Sequence, residues 1–439
     1  MSKRFEIITL GCKVNQYESA FMLDRLREAG WSRVEKGRNR DVTIVNTCIV
    51  TQRASHQSRQ AIRKAIRENP GTLVVAVGCY AQVYPEVLSQ IEGIGLIVGN
   101  TAKARVPELL LAGVHGQEPS VQVPGFEPGM PFDVMRIGRF PDRTRAFLKI
   151  QDGCESYCSY CIVAFARGPY RSLPPHHVLS MVEALSEKGY KEVVLTGIHL
   201  GKYGIETGGA MNLARLLRRI GREKFPIRIR LSSIEPHELD NELIDLVATE
   251  PWLCRHFHVP LQSGDDRILR KMNRRYTARA FAHRIRSIHE QIPLAAVGVD
   301  VMAGFPGEDE QAHENSFALI RDLPVSYLHV FPYSNRPGTA ASAMSGQTDT
   351  RTIKRRAGSL RALGEKKRTA FYRRCLGRSF VVLAERWSED DRKTLEGMTD
   401  NYLPMLFPST EDRRNHLVEV RADRIHHGHV MGTSLHPYD

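Results

Sequence analysis

Continuous apolar runs alternate with amphipathic stretches from the first residues onward. Phe5–Leu10, Val42–Asn46, Leu73–Val77 and Leu96–Val98 read as strands, and Glu18–Glu28, Ala54–Glu68 and Pro85–Ile91 as helices between them. Strands that are apolar on both faces and separated by helices belong to a parallel sheet covered on both sides. Residues 112–142 are rich in Gly and Pro and read as a linker. The alternation then resumes with a longer period. Ala146–Ile150, Glu192–Leu195, Ile227–Ser232, His256–Pro260, Ala296–Val301 and Tyr327–Phe331 are the expected strands. Val178–Lys188, Leu213–Gly221, Glu238–Thr249, Ala278–Glu290 and Glu310–Leu323 are the expected helices. Six strand–helix units in this length predict a barrel or part-barrel rather than a flat sheet. Beyond a basic helical stretch at 351–375, short β-type runs at Phe380–Ala384, Leu403–Leu406 and His416–Val420 predict a small β-barrel. The expected class is therefore α/β: an N-terminal parallel sheet domain (1–125), a central (β/α)6 partial barrel (140–350), a basic linker helix (351–375) and a C-terminal small β-barrel (376–439).

Composition narrows the class. The 439 residues are 42% hydrophobic and 25% charged, a globular balance that excludes a collagen, a disordered polyanion and a disulfide miniprotein. The formal net charge is +13, and it is concentrated: residues 351–375 hold ten Lys or Arg against the single acid Glu365. The segment after them is net acidic, with eleven acids against eight bases. No apolar run reaches the length of a membrane span. The apolar stretch near the N-terminus is too short for a secretion signal, and Glu6 inside it argues against reading Thr9-Leu10-Gly11-Cys12 as a lipoprotein site. A cytoplasmic location with reduced thiols is expected.

Eight cysteines then carry most of the chemical information. Cys154, Cys158 and Cys161 stand as Cys-x3-Cys-x2-Cys directly after a strand, with Gly153 in front to let the backbone approach a bulky group. Short thiolate spacings of this kind hold iron–sulfur cubes, whose usual complement is four ligands. Three leave one position open, as catalytic metal sites do. Structural zinc would want a fourth ligand, for which His176 and His177 are the nearest candidates, and three buried core cysteines are the plain alternative. Cys12, Cys48 and Cys79 each follow an expected parallel strand, at intervals of about one βα unit. Strand ends converge on one edge of an open parallel sheet, so these three can meet there. Cys254 and Cys375 read as core residues. Gly197 to Lys202 comes near a phosphate loop but is one residue short and has Tyr203 where Ser or Thr is needed. His426, His427 and His429 read as a solvated edge. His256 and His258 share one strand face, either lumenal or packed.

With these blocks in place, the chain resembles the radical S-adenosylmethionine methylthiotransferase family along essentially its whole length. Gly11-Cys12-Lys13-Val14-Asn15-Gln16-Tyr17-Glu18, Asn46-Thr47-Cys48 and Gly78-Cys79 look like the family's N-terminal blocks. Gln151-Asp152-Gly153-Cys154, Pro260-Leu261-Gln262-Ser263-Gly264, Gly304-Phe305-Pro306-Gly307-Glu308 and Arg336-Pro337-Gly338-Thr339 look like its later ones, and the tail looks like its RNA-binding TRAM barrel. Leu195 to Gly201 and Ser232 to Pro236 look most like the branch acting on N6-threonylcarbamoyladenosine in tRNA. The branches acting on N6-isopentenyladenosine in tRNA or on a ribosomal-protein aspartate stay open, as does, from another class, a non-catalytic iron–sulfur or zinc RNA-binding protein. The resemblance implies two 4Fe-4S clusters, one on Cys154, Cys158 and Cys161 and one on Cys12, Cys48 and Cys79. It implies two S-adenosylmethionine molecules, one a radical source and one a methyl donor, and an external electron donor. Gly197, Ser233, Glu235 and Gln262 are the expected S-adenosylmethionine or substrate contacts. If tRNA is the partner, its phosphates are expected on helices 351–375 and Ala54–Glu68, with Tyr402 free to stack on a base. Reversing Arg355, Arg356, Lys366 and Lys367 to Glu is expected to weaken that contact.

Overall fold

The computed structural model describes residues 3–35, 37–113, 119–140, 143–389, 391 and 393–437. Within the expected linker, 114–118 and 141–142 lie outside the described residues. The chain forms two compact units, one of Met1–Pro141, Lys149–His177 and Ser334–Ser342, the other of Asp142–Leu148, Val178–Tyr333 and Ala343–Asp439.

The first unit is built on a six-stranded parallel sheet. Its order is Ser32–Arg33, Arg4–Thr9, Val42–Thr47, Leu73–Gly78, Ile94–Val98, Ser120–Gln122. The two central strands are buried almost throughout, which is why they read as unbroken apolar runs. The outermost strands are two and three residues long and polar, so no run announced them. Ser120–Gln122 lies in what reads as linker; it is a strand because its ladder is supplied by Leu96, Ile97 and Val98. Helix Lys13–Glu28 begins five residues before the amphipathic pattern does. Polar contacts hold its first turn: Asn15 Nδ2 donates to the Leu10 and Thr47 carbonyls at 2.7 and 2.9 Å, and Asn46 Nδ2 donates to the Asn15 carbonyl at 2.9 Å. The short helix Val163–Arg167 joins this unit by burying Ala166, with Ile162 just before it, among Val45, Tyr80, Ala81 and their neighbours.

The second unit is a partial barrel followed by a closed one. Glu192–Gly197 and Arg228–Leu231 pair in parallel, as do His256–Gln262, Ala296–Ala303 and Tyr327–Pro332. Between Arg228–Leu231 and His256–Gln262 the ladder thins to the isolated bridge Ser233↔His258, with Ile229↔Leu253 before it. Strand Arg145–Asp152 starts in this unit, next in order to Glu192–Gly197, and ends in the first. The α/β class and the partial barrel are those expected. Helix Thr350–Cys375, capped by the Asp349 side chain on Thr352 N, covers the outer face of the last strand, where Gly364 leaves room for Leu328. The tail is a closed five-stranded barrel in the order Ser379–Trp387, Thr394–Thr399, Pro404–Pro408, His429–Pro437, Leu417–His426.

One expectation about the tail fails. Tyr402 is not free to stack on a base. It stacks on His256 with ring centroids 4.4 Å apart, lies 5.6 Å from Tyr327, and has the Arg230 guanidinium 5.3 Å over its ring. The turn that carries it is pinned from both sides of Glu192: Arg228 donates to the Met398 carbonyl and Arg230 to those of Thr399 and Asp400, while both hold the Glu192 carboxylate. The basic helix spends some of its cations on the fold. Arg356 is buried on Glu308 at 2.9 Å, Arg355 grips Glu310 with both terminal nitrogens, and Lys367 donates to the Leu323 carbonyl at 2.6 Å. The exposed cations are Arg351, Lys354, Arg355, Arg361, Lys366, Arg373 and Arg374. Reversing Arg356 would break the helix's own docking before it told anything about RNA.

Candidate active site

All six cysteines of the two sets belong to the first unit. Cys12, Cys48 and Cys79 follow three neighbouring strands of the sheet, so parallel pairing delivers all three to one edge. They are close enough that Cys79 acts electrostatically on both Cys12 and Cys48. Gly11 has φ +94°, and a Cβ there would lie 2.6 Å from Cys48 Sγ; only glycine fits. Ser58 fixes the Cys48 backbone, accepting its N–H at 3.1 Å and donating to its carbonyl at 3.0 Å. Cys48 and Cys79 are buried, and Cys12 is exposed. Desolvation raises the thiol pKa of Cys12 and pushes that of Cys48 up to about 11.

Cys154, Cys158 and Cys161 are half-buried on one loop. Cys161 N donates to the Cys158 carbonyl and Cys154 N to that of Gly168, each at 2.9 Å. Tyr157 takes φ +44° in between. Gly153 has φ +79°, and a Cβ there would meet the Pro169 carbonyl at 1.7 Å, so the segment just before strand Arg171–Ser172 also requires glycine here. No cysteine is in a disulfide. The donors fit iron–sulfur clusters: soft sulfur ligands in threes, with N–H groups aimed at sulfur from Val163 N to Cys161 at 3.4 Å and from Asn100 Nδ2 and Arg167 Nε to Cys79 at 3.5 and 3.3 Å.

Around Cys79 lies a buried ionic network; its carboxylates Glu18 and Asp152 stand in the 11–18 and 151–154 blocks, which do not show their cationic partners. Glu18 receives Lys103 at 2.5 Å, Lys149 at 3.1 Å and Arg167 at 2.5 Å; Asp152 receives Lys149 at 3.0 Å and Arg167 at 3.4 Å. Burial would raise both carboxyl pKa values, but Arg167, Lys103 and Lys149 hold Glu18 well below the ordinary range, and Lys149, Arg167 and Arg171 hold Asp152 below it. Arg336, on the segment Ser334–Ser342, is buried with Nε unpartnered among the described residues, and it feels both Cys161 and Cys48. For the cations the sequence held one usable signal. Lys149, with Gln151 and Asp152, interrupts an otherwise apolar strand, and Lys103 and Arg167 have no such mark.

The four other expected contacts all lie in the second unit. Gly197 ends its strand, Ser233 and Glu235 follow Arg228–Leu231, and Gln262 ends its strand with φ +62° beside a register shift. They therefore share the carboxyl edge of neighbouring strands. Arg274 holds Glu235 Oε1 at 2.5 Å, while Oε2 is buried with no partner among the described residues, as suits an oxygen awaiting a ligand donor. Ser233 Oγ is 2.6 Å from His258 Nδ1, whose Nε2 lies 2.7 Å from Asp300; His329 Nδ1 is 3.2 Å from the same oxygen. His258 is thus hydrogen-bonded through both ring nitrogens. Asp300 and His329 were missed because their partners come from different strands. Lys202 is neutralised by Glu238 at 3.2 Å, so the glycine segment before it is no phosphate loop. Cys254 and Cys375 are core residues, and the His426–His429 segment is a mostly exposed hairpin end.

Residues 4–99 match the family described as "Uncharacterized protein family UPF0004", and residues 148–320 match the Radical SAM superfamily. The radical S-adenosylmethionine methyltransferase TsrM of Kitasatospora setae, solved with tryptophan substrate and an S-adenosylmethionine analogue, shares the fold. The TM-score is 0.56 at 18% identity, covering 76% of this chain and 74% of that one. The threonylcarbamoyladenosine tRNA methylthiotransferase MtaB of Bacillus subtilis is 36% identical over 416 residues, 94% of this chain and 92% of its own. Its namesake from Aquifex aeolicus is 37% identical over 400 residues, 90% and 94% of the two chains. The tRNA-2-methylthio-N(6)-dimethylallyladenosine synthase of Bacteroides thetaiotaomicron is 31% identical over 427 residues, 96% and 94%. The fold and the matched region 148–320 are those of a radical S-adenosylmethionine enzyme. The chain belongs to the methylthiotransferase family of these enzymes.

Proposed function

We propose that the chain inserts a methylthio group at C2 of N6-threonylcarbamoyladenosine at position 37 of tRNA, next to the anticodon. The observation that carries this reading is the ranking of relatives: those bearing that substrate in their name run from 31 to 37% identity, and the dimethylallyladenosine ones from 28 to 31%. Cys12, Cys48 and Cys79 would hold one 4Fe-4S cluster and Cys154, Cys158 and Cys161 the other. When bound, the clusters and S-adenosylmethionine supply one-electron chemistry, sulfur and a methyl group, which no side chain provides. The protein's own residues do the rest. Gly11, Ser58 and the Cys158–Cys161 turn set the thiols. Glu235 Oε2 accepts a hydrogen bond from S-adenosylmethionine or substrate, and Gln262, Gly197 and Ser233 border the same strand edge. The exposed cations of helix Thr350–Cys375, with helix Gln52–Glu68, take phosphates. The reaction draws its electron from an external donor and runs in the cytoplasm, where its tRNA is.

The test is nucleoside analysis after anaerobic reconstitution, with S-adenosylmethionine, a reductant and a sulfur source, on tRNA bearing each modification. A methylthio product on the threonylcarbamoyl tRNA alone is expected. A product on the isopentenyl tRNA alone, or no cleavage of S-adenosylmethionine, overturns the reading.

A further inference from the structure

Arg167 closes the short helix that follows Cys161, yet its guanidinium reaches the other thiol set. Nε donates to Cys79 Sγ at 3.3 Å. The terminal nitrogens donate to Glu18 at 2.5 and 3.1 Å, to Asn15 Oδ1 at 2.7 Å and to Asp152 at 3.4 Å. The side chain has no solvent exposure. One residue thus joins the Cys154–Cys161 loop to helix Lys13–Glu28, whose N-cap is Cys12, and to the thiol of Cys79.

The charge count makes the contact chemical as well as structural. Lys103, Lys149 and Arg167 face Glu18 and Asp152, and all five are buried. Arg171 lies 3.9 Å from Asp152, Arg336 acts on Cys48, and Asp133 is the one further carboxylate among the described residues acting on the network. Positive charge is in excess, and a buried charge without a counter-charge is strongly unfavourable. An oxidised 4Fe-4S cube carries two positive charges, and three thiolates bring the assembly to one negative. That cluster, on Cys12, Cys48 and Cys79, is the missing counter-charge.

We infer that Arg167 is the positioning and charge-balancing residue of the Cys12/Cys48/Cys79 cluster, holding Cys79 in place and favouring the cluster's reduced state. The inference rests on the assignment of those three cysteines as cluster ligands. Reduction adds a second negative charge beside the guanidinium, so a positive charge there raises the potential.

The test uses full-length protein carrying Cys154→Ala, Cys158→Ala and Cys161→Ala, in which only the first cluster can form. Iron and sulfide per chain are measured, and a reductive titration is followed by electron paramagnetic resonance, for Arg167, R167K and R167Q. Expected are a full cluster with Arg167, a potential shifted to more negative values in R167Q, and a smaller shift in R167K, which keeps the charge but not the fork. Loss of iron from R167Q with retention in R167K also supports the inference. Full iron with an unchanged potential in R167Q overturns it and leaves the ligand assignment standing. Equal iron loss in both variants overturns the charge role. No iron in the Arg167 protein of this background overturns the ligand assignment, and the inference with it.

Discussion

The two thiol sets reach the same composition by opposite routes. Cys154, Cys158 and Cys161 lie within eight residues, and their geometry comes from a turn whose bonds are local. Cys12, Cys48 and Cys79 are spread over 68 residues and are brought together by the register of three parallel strands. The first set depends on a loop, the second on a whole sheet and on a charged network beneath it. A change that disturbs the sheet edge should therefore empty one set and spare the other.

Breaking the network should have the largest effect. Glu18→Ala leaves Lys103, Lys149 and Arg167 buried without their shared carboxylate, and should cost about 3–5 kcal/mol in denaturant unfolding. A loss under about 1 kcal/mol would mean that water or rearranged side chains replace Glu18. Gly11→Ala comes next: the new Cβ needs positive φ and the space of Cys48 Sγ, a strain of about 1–3 kcal/mol. Reconstituted wild type should hold about eight irons per chain and Gly11→Ala about four, all on the Cys154 loop. Equal loss from both sets would erase the contrast. Mutating Cys154, Cys158 and Cys161 to Ala should give the mirror result, with about four irons left on the sheet edge.

Acid provides a milder handle. The folded pKa values of Glu18 and Asp152 lie below their unfolded values of roughly 4. Their stabilisation is present above that value and declines as pH falls below it, because the unfolded chain then binds more protons. Denaturant midpoints measured from about pH 5 downward should fall, and fall less steeply in Glu18→Gln; identical slopes would remove the network from the account. The smallest effect on either thiol set should come from Lys354→Ala, Arg361→Ala and Lys366→Ala together. Iron content should stay unchanged, while the salt slope of tRNA binding drops by about two to three. An unchanged slope would move the phosphate contacts off this helix.

What was legible in the sequence follows the same division. Central strands such as Val42–Thr47 were readable because burial on both faces forces continuous apolar runs. Edge strands were not, because their ladders come from a neighbour and leave no pattern of their own. The first turn of helix Lys13–Glu28 was hidden because Asn15 and Asn46 hold it by polar contacts, where periodicity is silent. Tyr402 looked available for a base because nothing nearby in sequence announces the His256 and Tyr327 rings that cover it.

By itself, the sequence determined the α/β class, the order of the elements and the two groups of cysteines, since these follow from periodicity and spacing along one chain. Only the tertiary structure decided that Arg167 reaches Cys79, that Glu18 binds three cations, that Ser233, His258, Asp300 and His329 form one chain of contacts, and which cations of the long helix stay exposed. Each of those depends on where side chains far apart in sequence come to rest, and a buried charge or a hydrogen bond chooses its partner by distance in space.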